Sequence, residues 1–278
     1  MPELPEVERG RHMAEIGLVG KRIAAAEIAA DPIVFANVDP LDFARALEGK
    51  RVISAKRWGK QLWFELDAPP HPLFHFGMSG SFRTQGDDPL RLAAGPNEST
   101  DQWPPRFWKI LLRADDGTEL VMTDARRLGR ILLRSSPETQ PPIAKLGFDA
   151  LINPPTSREL AKRLSGRQTP IKSLLLNQSF SAGVGNWIAD EVLFQAGIAP
   201  TRLASTLDTQ ETKRLRAKLV GVVRRGAECT VSNQPYPKRW LFHHRWGKQA
   251  GAKTTDGDLI EHITVGGRTT AWVPSKQA

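Results

Sequence analysis

Cysteine is almost missing from this chain: its 278 residues hold one, Cys229. A single thiol excludes an internal disulfide and any zinc site built from several cysteines. No apolar run approaches the roughly 20 residues that cross a bilayer, which argues against a membrane protein. The acidic opening MPELPEVE lacks the basic and apolar regions of an export signal. An intracellular protein is therefore expected, in the cytoplasm or nucleoid of a bacterium or the nucleus of a eukaryote. His243 and His244 are adjacent and would point apart, and His262 has no spaced partner, so no metal cofactor is expected. Internal repeats and low-complexity segments are also missing.

What is present is a lopsided charge. Residues 1–150 carry 20 Lys and Arg against 21 Asp and Glu, while residues 151–278 carry 19 against 9. The excess of +9 thus lies entirely in the second half. A basic half beside a neutral one suits a polyanion such as nucleic acid, although a solvated basic surface would show the same count.

The patterning divides at about the same place. From Arg22 to Arg134 short apolar segments (RVISAKRW, QLWFEL, FWKILLRA, RILLR) alternate with turn-rich stretches, which predicts a strand-built sandwich or barrel after one helix from about Val7 to Leu18. TQGDDPLRLAAGPNESTDQWPP reads as a long polar loop. After the Pro-rich SSPETQPP and LINPPTS, four segments show helical spacing with capping residues near their starts. TTDGDLIEHITVGGRTTAWVP then has the turns and β-branched runs of a hairpin. The expectation is an α+β chain of two domains, 1–150 and 151–278. The first is an antiparallel β-sandwich with an N-terminal helix; the second is helical, with a helix-turn-helix near 169–197 and a hairpin within 245–278.

Several residues could carry chemistry. Were Met1 removed, Pro2 would present a secondary amine, and α-amino groups titrate near pH 8, low enough to supply a neutral nucleophile. Glu3 and Glu6 would stand beside it as acid, base or orienting group. The same residues also make an ordinary acidic helix entry, with Pro5 early in the helix. In TPIKSLLLNQSFSAGVGNWIADEVLF, Gly183 and Gly185 allow close backbone approach. Asn186 opens the second helix, whose free N–H groups suit a phosphate, and Lys172 adds charge. FHFGMSGSF and TDARRLGRI place Met78, Arg126 and Leu128 at strand ends; Met78 and Leu128 read either as wedges entering a base stack, with Arg126 holding the opposite strand, or as plain core. Lys60 is a strand-edge lysine or a phosphate contact. Arg268 follows the Gly266-Gly267 turn and would project from a hairpin tip as a fork for phosphate.

Taken together, MPELPEVE, RWGKQLWFEL, FGMSG, TDARRLG, LNQSFSAGVGNWIADEVLFQAGIAP and GGRTTAWVP closely resemble the formamidopyrimidine-DNA glycosylase and endonuclease VIII family, from end to end and in the family's order. The resemblance implies a bifunctional enzyme that excises oxidised bases from damaged double-stranded DNA and then breaks the strand by β and δ elimination. It implies that Pro2 attacks C1′, that Glu3 protonates the sugar ring oxygen, and that Glu6 and Lys60 complete the active site. Lys172, Asn186 and Arg268 would bind phosphate, while Met78, Arg126 and Leu128 would fill the void left by the flipped nucleotide. Glu191 would give structural support near the terminus. Many members close with a four-cysteine zinc finger; this chain resembles the zinc-less subgroup, in which a bare hairpin presents the arginine. The third wedge is commonly phenylalanine, so Leu128 should stack more weakly on the opposite strand. The segment CTVSNQPYPKRWLFHHRWGKQAG is short where 8-oxoguanine specialists carry a longer capping loop, so formamidopyrimidines and oxidised pyrimidines are the expected preference. The rival expectation is a catalytically silent duplex-binding protein. A monomer is expected in either case.

Overall fold

The computed structural model describes residues 2–86, 102–247 and 251–278. Most of the polar loop expected over 84–105, and part of the segment before the hairpin, lie outside the described residues. The chain forms two compact units, Met1–Lys145 and Leu146–Ala278.

The first unit opens with helix α1 (Leu4–Leu18), three residues earlier than its apolar periodicity indicates. Chemistry at the entry explains the difference. Pro5 is compatible with the first turn, and Glu3 and Glu6 close a capping box that satisfies backbone donors which would otherwise be orphaned. Two antiparallel four-stranded sheets follow. One runs β1-β6-β7-β5 and the other β2-β3-β4-β8, with strands β1 (Ile23–Ile28), β2 (Val52–Trp58), β3 (Gln61–Leu66), β4 (His71–His75), β5 (Ser81–Thr84), β6 (Trp108–Ala114), β7 (Glu119–Thr123) and β8 (Arg130–Arg134). Their inward faces form one core that includes Phe64, Phe74, Phe82 and Met122; the segment between β1 and β2 adds Phe35 and Phe43, and α1 contributes Val7, Ala14 and Leu18. A second short helix, α2 (Pro40–Arg45), was not expected from the sequence. Its signal is local: Asp39 accepts from the N–H groups of Leu41 and Asp42, and Pro40 takes the first position.

The second unit holds β9 (Phe148–Asp149), α3 (Ser157–Leu164), α4 (Ile171–Leu176), β10 (Ser181–Ala182), α5 (Asn186–Ala196) and α6 (Thr209–Val231), then the hairpin strands β11 (Glu261–Val265) and β12 (Arg268–Trp272). Capping boxes start α3, through Thr156 and Glu159, and α6, through Asp208 and Glu211. The hairpin closes through Gly266 and Gly267, both with positive φ (58° and 70°), as a two-residue turn requires when its twist matches that of the strands.

Candidate active site and nucleic-acid interface

In the first unit Pro2 is buried, directly ahead of two buried carboxyl groups. Glu3 is 2% exposed and Glu6 8%. Oε2 of Glu6 accepts the Glu3 backbone N–H at 2.8 Å. Burial, and then the like charge of Glu3, push the Glu6 carboxyl up to about 7, so near neutral pH it can hold or release a proton. The helix entry and the buried carboxyl pair are thus the same residues.

Lys60 sits in the two-residue turn between β2 and β3, where Gly59 supplies the positive φ of 60°. The turn is tied to α1 through Arg57, whose side chain is fully buried. Arg57 Nε donates to Glu8 Oε2 at 2.8 Å and Nη1 donates to the Gly59 carbonyl at 3.0 Å. With Arg57 enclosed and Glu8 only 15% exposed, this pair fixes the turn that carries Lys60.

The two segments carrying Met78 and Arg126–Leu128 form one platform. Fully buried Asp124 accepts from the Ser79 hydroxyl at 2.7 Å, from the Arg126 N–H at 3.2 Å and from the Gly129 N–H at 2.7 Å. Gly77 (φ 61°) packs so closely that a Cβ there would lie 2.4 Å from the Leu128 carbonyl carbon. His75 Nδ1 accepts the Gly77 N–H at 3.2 Å, which requires the neutral imidazole. Burial, then the positive charges of Lys60 and Arg130, push His75 down to about 4 and keep it neutral. Leu128 is 45% exposed, Arg126 is exposed and Met78 is half-buried. All three stand outside the core, which removes the plain-core reading. Arg127, between two of them, adopts a positive φ of 55° and is gripped from below by buried Asp31, at 2.9 Å through Nε and 3.1 Å through Nη2. Lys109 reaches the same carboxylate at 2.9 Å.

In the second unit, Gln178 organises the turn between α4 and α5. Its Nε2 donates to the Leu176 and Val184 carbonyls and its Oε1 accepts the Gly183 N–H. Asn186 begins α5, as the sequence indicates, but its Nδ2 donates to the Thr269 carbonyl at 2.9 Å, so at least one amide hydrogen serves the hairpin. Lys172 corrects the expectation of a phosphate contact. Its side chain is fully buried, its Nζ lies 2.5 Å from Asp190 Oδ1, and it donates to Thr270 Oγ1 at 2.6 Å. An ammonium enclosed in this way supports the hairpin from inside. Arg268 is exposed at the hairpin turn. Glu191 is buried and accepts from the Phe242 N–H at 2.9 Å and from Gln195 Nε2 at 2.8 Å; burial nevertheless pushes its carboxyl up to about 7. Its support goes to the segment at Leu241–His243.

Comparison with known proteins follows this division. Residues 1–131 match the formamidopyrimidine-DNA glycosylase N-terminal domain, 146–234 its H2TH domain, and 240–274 the formamidopyrimidine-DNA glycosylase-like C-terminal domain. The formamidopyrimidine-DNA glycosylase of Arabidopsis thaliana is 42% identical over 277 residues, covering 100% of this chain and 71% of that protein. The chain belongs to the formamidopyrimidine-DNA glycosylase family. A relative of the same name from Paracoccus denitrificans is 32% identical over 99% of both chains. The crystal structure of Lactococcus lactis formamidopyrimidine-DNA glycosylase, non-covalently bound to DNA containing an abasic site, is similar with a TM-score of 0.79. It is 25% identical and covers 99% of each chain.

A zinc finger does not fit this member of the family. Its one cysteine, Cys229, is buried in α6, and among the described residues no group of three His, Cys, Asp or Glu could hold a metal. The hairpin is instead closed by an apolar cluster of Leu241, Ile260, Ala271 and Val273. Sequence reasoning missed Arg57, Asp31, Asp124, His75 and Asp190. Only His75 and Asp124 had a usable signal, since they flank the glycine motifs; the partners of the others are distant in sequence.

Proposed function

We propose that this family member is a bifunctional DNA glycosylase and abasic-site lyase for oxidised bases in double-stranded DNA, with Pro2 as its nucleophile. The observation that carries the reading is the pair of buried carboxyls directly behind Pro2, one of them raised to about 7. Once Met1 is removed, the Pro2 nitrogen forms a bond to C1′ as the bond from C1′ to the base breaks. The base leaves with the electron pair and takes up the proton that the Pro2 nitrogen gives up. Glu3 gives a proton to the ring oxygen, opening the sugar to an iminium, and Glu6 holds the Glu3 backbone and exchanges the proton near neutral pH. The iminium acidifies the C2′ proton. Its loss expels the 3′ phosphate, and a further elimination expels the 5′ phosphate. Hydrolysis of the imine returns the amine.

In the first unit Lys60 would engage the phosphate near the lesion; in the second, Asn186 and Arg268 would hold the DNA backbone. Met78, Arg126 and Leu128 would fill the vacated stack, an assignment supported by their exposure on a platform braced by Asp124. DNA as substrate places the enzyme in the DNA-containing compartment of its cell. The lesion preference would run towards formamidopyrimidines and oxidised pyrimidines. Supporting it, Tyr236, Trp240 and Phe242 pack on Trp187, which draws the short segment before the hairpin onto its own unit. Comparable turnover of 8-oxoguanine opposite cytosine would contradict that preference.

Borohydride trapping on a duplex with one abasic site, followed by peptide mass mapping, tests the chemistry. An adduct on Pro2 is expected. Tight duplex binding by a chain with a free Pro2, without any trapped adduct, would favour the silent binder.

A further inference from the structure

A two-stranded ribbon is marginally stable by itself, so an arginine at its tip is only as well placed as the ribbon beneath it. We propose that Asp190 is the positioning residue that sets Arg268 for a DNA phosphate, an inference that rests on the reading of Arg268 given above. Asp190 is fully buried in the second turn of α5. Its Oδ1 lies 2.5 Å from Lys172 Nζ of α4. Its Oδ2 accepts from Arg245, at 2.7 Å from Nη2 and 3.3 Å from Nε, and from the Ala271 N–H of β12 at 3.1 Å.

One carboxylate therefore joins both helices of the helix-turn-helix, the segment entering the finger, and the strand that begins at Arg268. The connection extends towards the arginine. Lys172 donates to Thr270 Oγ1 at 2.6 Å and to the Thr269 carbonyl at 3.3 Å, Asn186 donates to that same carbonyl, and the Thr270 hydroxyl donates to the Arg268 carbonyl at 3.2 Å. At the turn, the Gly266 backbone rests against α4, where a Cβ would lie 2.6 Å from Ser173 Oγ. Ala271 is thus fixed to Asp190 directly, Thr269 and Thr270 through Lys172, and Arg268 through Thr270 and Lys172. Buried charges are costly to leave unpaired, so this node has one stable arrangement, and the ribbon inherits it.

The test measures Kd for a duplex carrying a tetrahydrofuran abasic analogue, over a series of salt concentrations. The proteins are the unsubstituted enzyme, Arg268→Ala, Asp190→Asn and the double variant. Loss of a charge-assisted phosphate contact should weaken binding by about tenfold or more in Arg268→Ala, with the salt slope reduced by about one. Asp190→Asn should reproduce both changes, and the double variant should bind no more weakly than the worse single variant. Additive losses in the double variant, or unchanged binding in Asp190→Asn, would overturn the inference while leaving the phosphate role of Arg268 intact. Unchanged binding and salt slope in Arg268→Ala would instead remove the underlying reading. Should Asp190→Asn fail to fold, Thr270→Val removes the hydroxyl through which Lys172 reaches the Arg268 carbonyl, and leaves the ion pairs and the bonds to Thr269 and Ala271 in place. A several-fold loss that vanishes in the Arg268→Ala background is expected, and binding equal to the unsubstituted enzyme would overturn the inference.

Discussion

Replacing Glu6 by Gln should make the folded enzyme more stable and the active site worse, by amounts that depend on pH in a defined direction. Glu6 is 8% exposed, and burial together with the charge of Glu3 raises its carboxyl from 4.5 to about 7. The folded chain therefore holds this proton more tightly than the unfolded one. Between those two values the unfolded state releases the proton first, and stability falls as pH rises. At about 1.4 kcal/mol per tenfold difference, ionised Glu6 costs the fold roughly 3 kcal/mol at pH 8 but only about 1 kcal/mol at pH 5. Glutamine keeps an oxygen to accept the Glu3 N–H, now 2.8 Å from Oε2, and removes the charge.

Urea unfolding of both proteins at pH 5 and pH 8 reads this directly. Any fixed packing cost of the amide is the same at both pH values and drops out of the comparison. The stability of Glu6→Gln relative to the unsubstituted chain should rise by about 2 kcal/mol from pH 5 to pH 8. Turnover of the lesion duplex should fall at both pH values, because the amide cannot exchange a proton. A stability difference that does not change with pH would refute the reasoning, since it would mean that Glu6 ionises as freely in the folded enzyme as in the unfolded chain.

Two other substitutions probe the wedge platform. Gly77→Ala would force a Cβ to within 2.4–2.6 Å of the Leu128 and Gly129 backbone at a φ of 61°. Strain and overpacking together should cost about 3 kcal/mol in urea unfolding, and excision of a base from duplex should slow more than cleavage of a preformed abasic site. Equal slowing of the two steps would count against a role of this platform in extruding the base. Asp31→Asn leaves the buried Lys109 ammonium without its carboxylate and should cost roughly 3 kcal/mol at pH 7. Burial opposes ionisation of Asp31, but hydrogen bonds from Arg127, Lys109 and the Val34 N–H outweigh it and hold the carboxyl below its ordinary range. This contribution is therefore present above pH 4 and is lost as pH falls below it, so the gap between the two proteins should narrow in acid. A gap that widens there would contradict the assigned ion pair.

Much of the fold was legible because its signals are local. Gly266-Gly267 between β-branched runs dictates the hairpin, since only residues that accept positive φ close so tight a turn. Asp208 and Glu211 mark the start of α6 for the same kind of reason, and Asp39-Pro40 marked α2 equally well. The sequence by itself also determined the candidate centre, because Pro2, Glu3 and Glu6 are neighbours in the chain and one helix entry brings them together.

Tertiary structure decided where the charges go. A lysine reads as an exposed cation until something distant encloses it. Lys172 is enclosed by Asp190 and by Thr270, 98 residues away, and so becomes an internal support rather than a phosphate ligand. Arg127 is fixed by Asp31 across 96 residues, and Arg57 meets Glu8 across 49. No periodicity or cap records such pairs, because they form only when the packed chain brings distant residues together and buries at least one charge of each pair. The sequence determined which side chains could do the chemistry, and the packed chain determined which of them are enclosed and which are exposed.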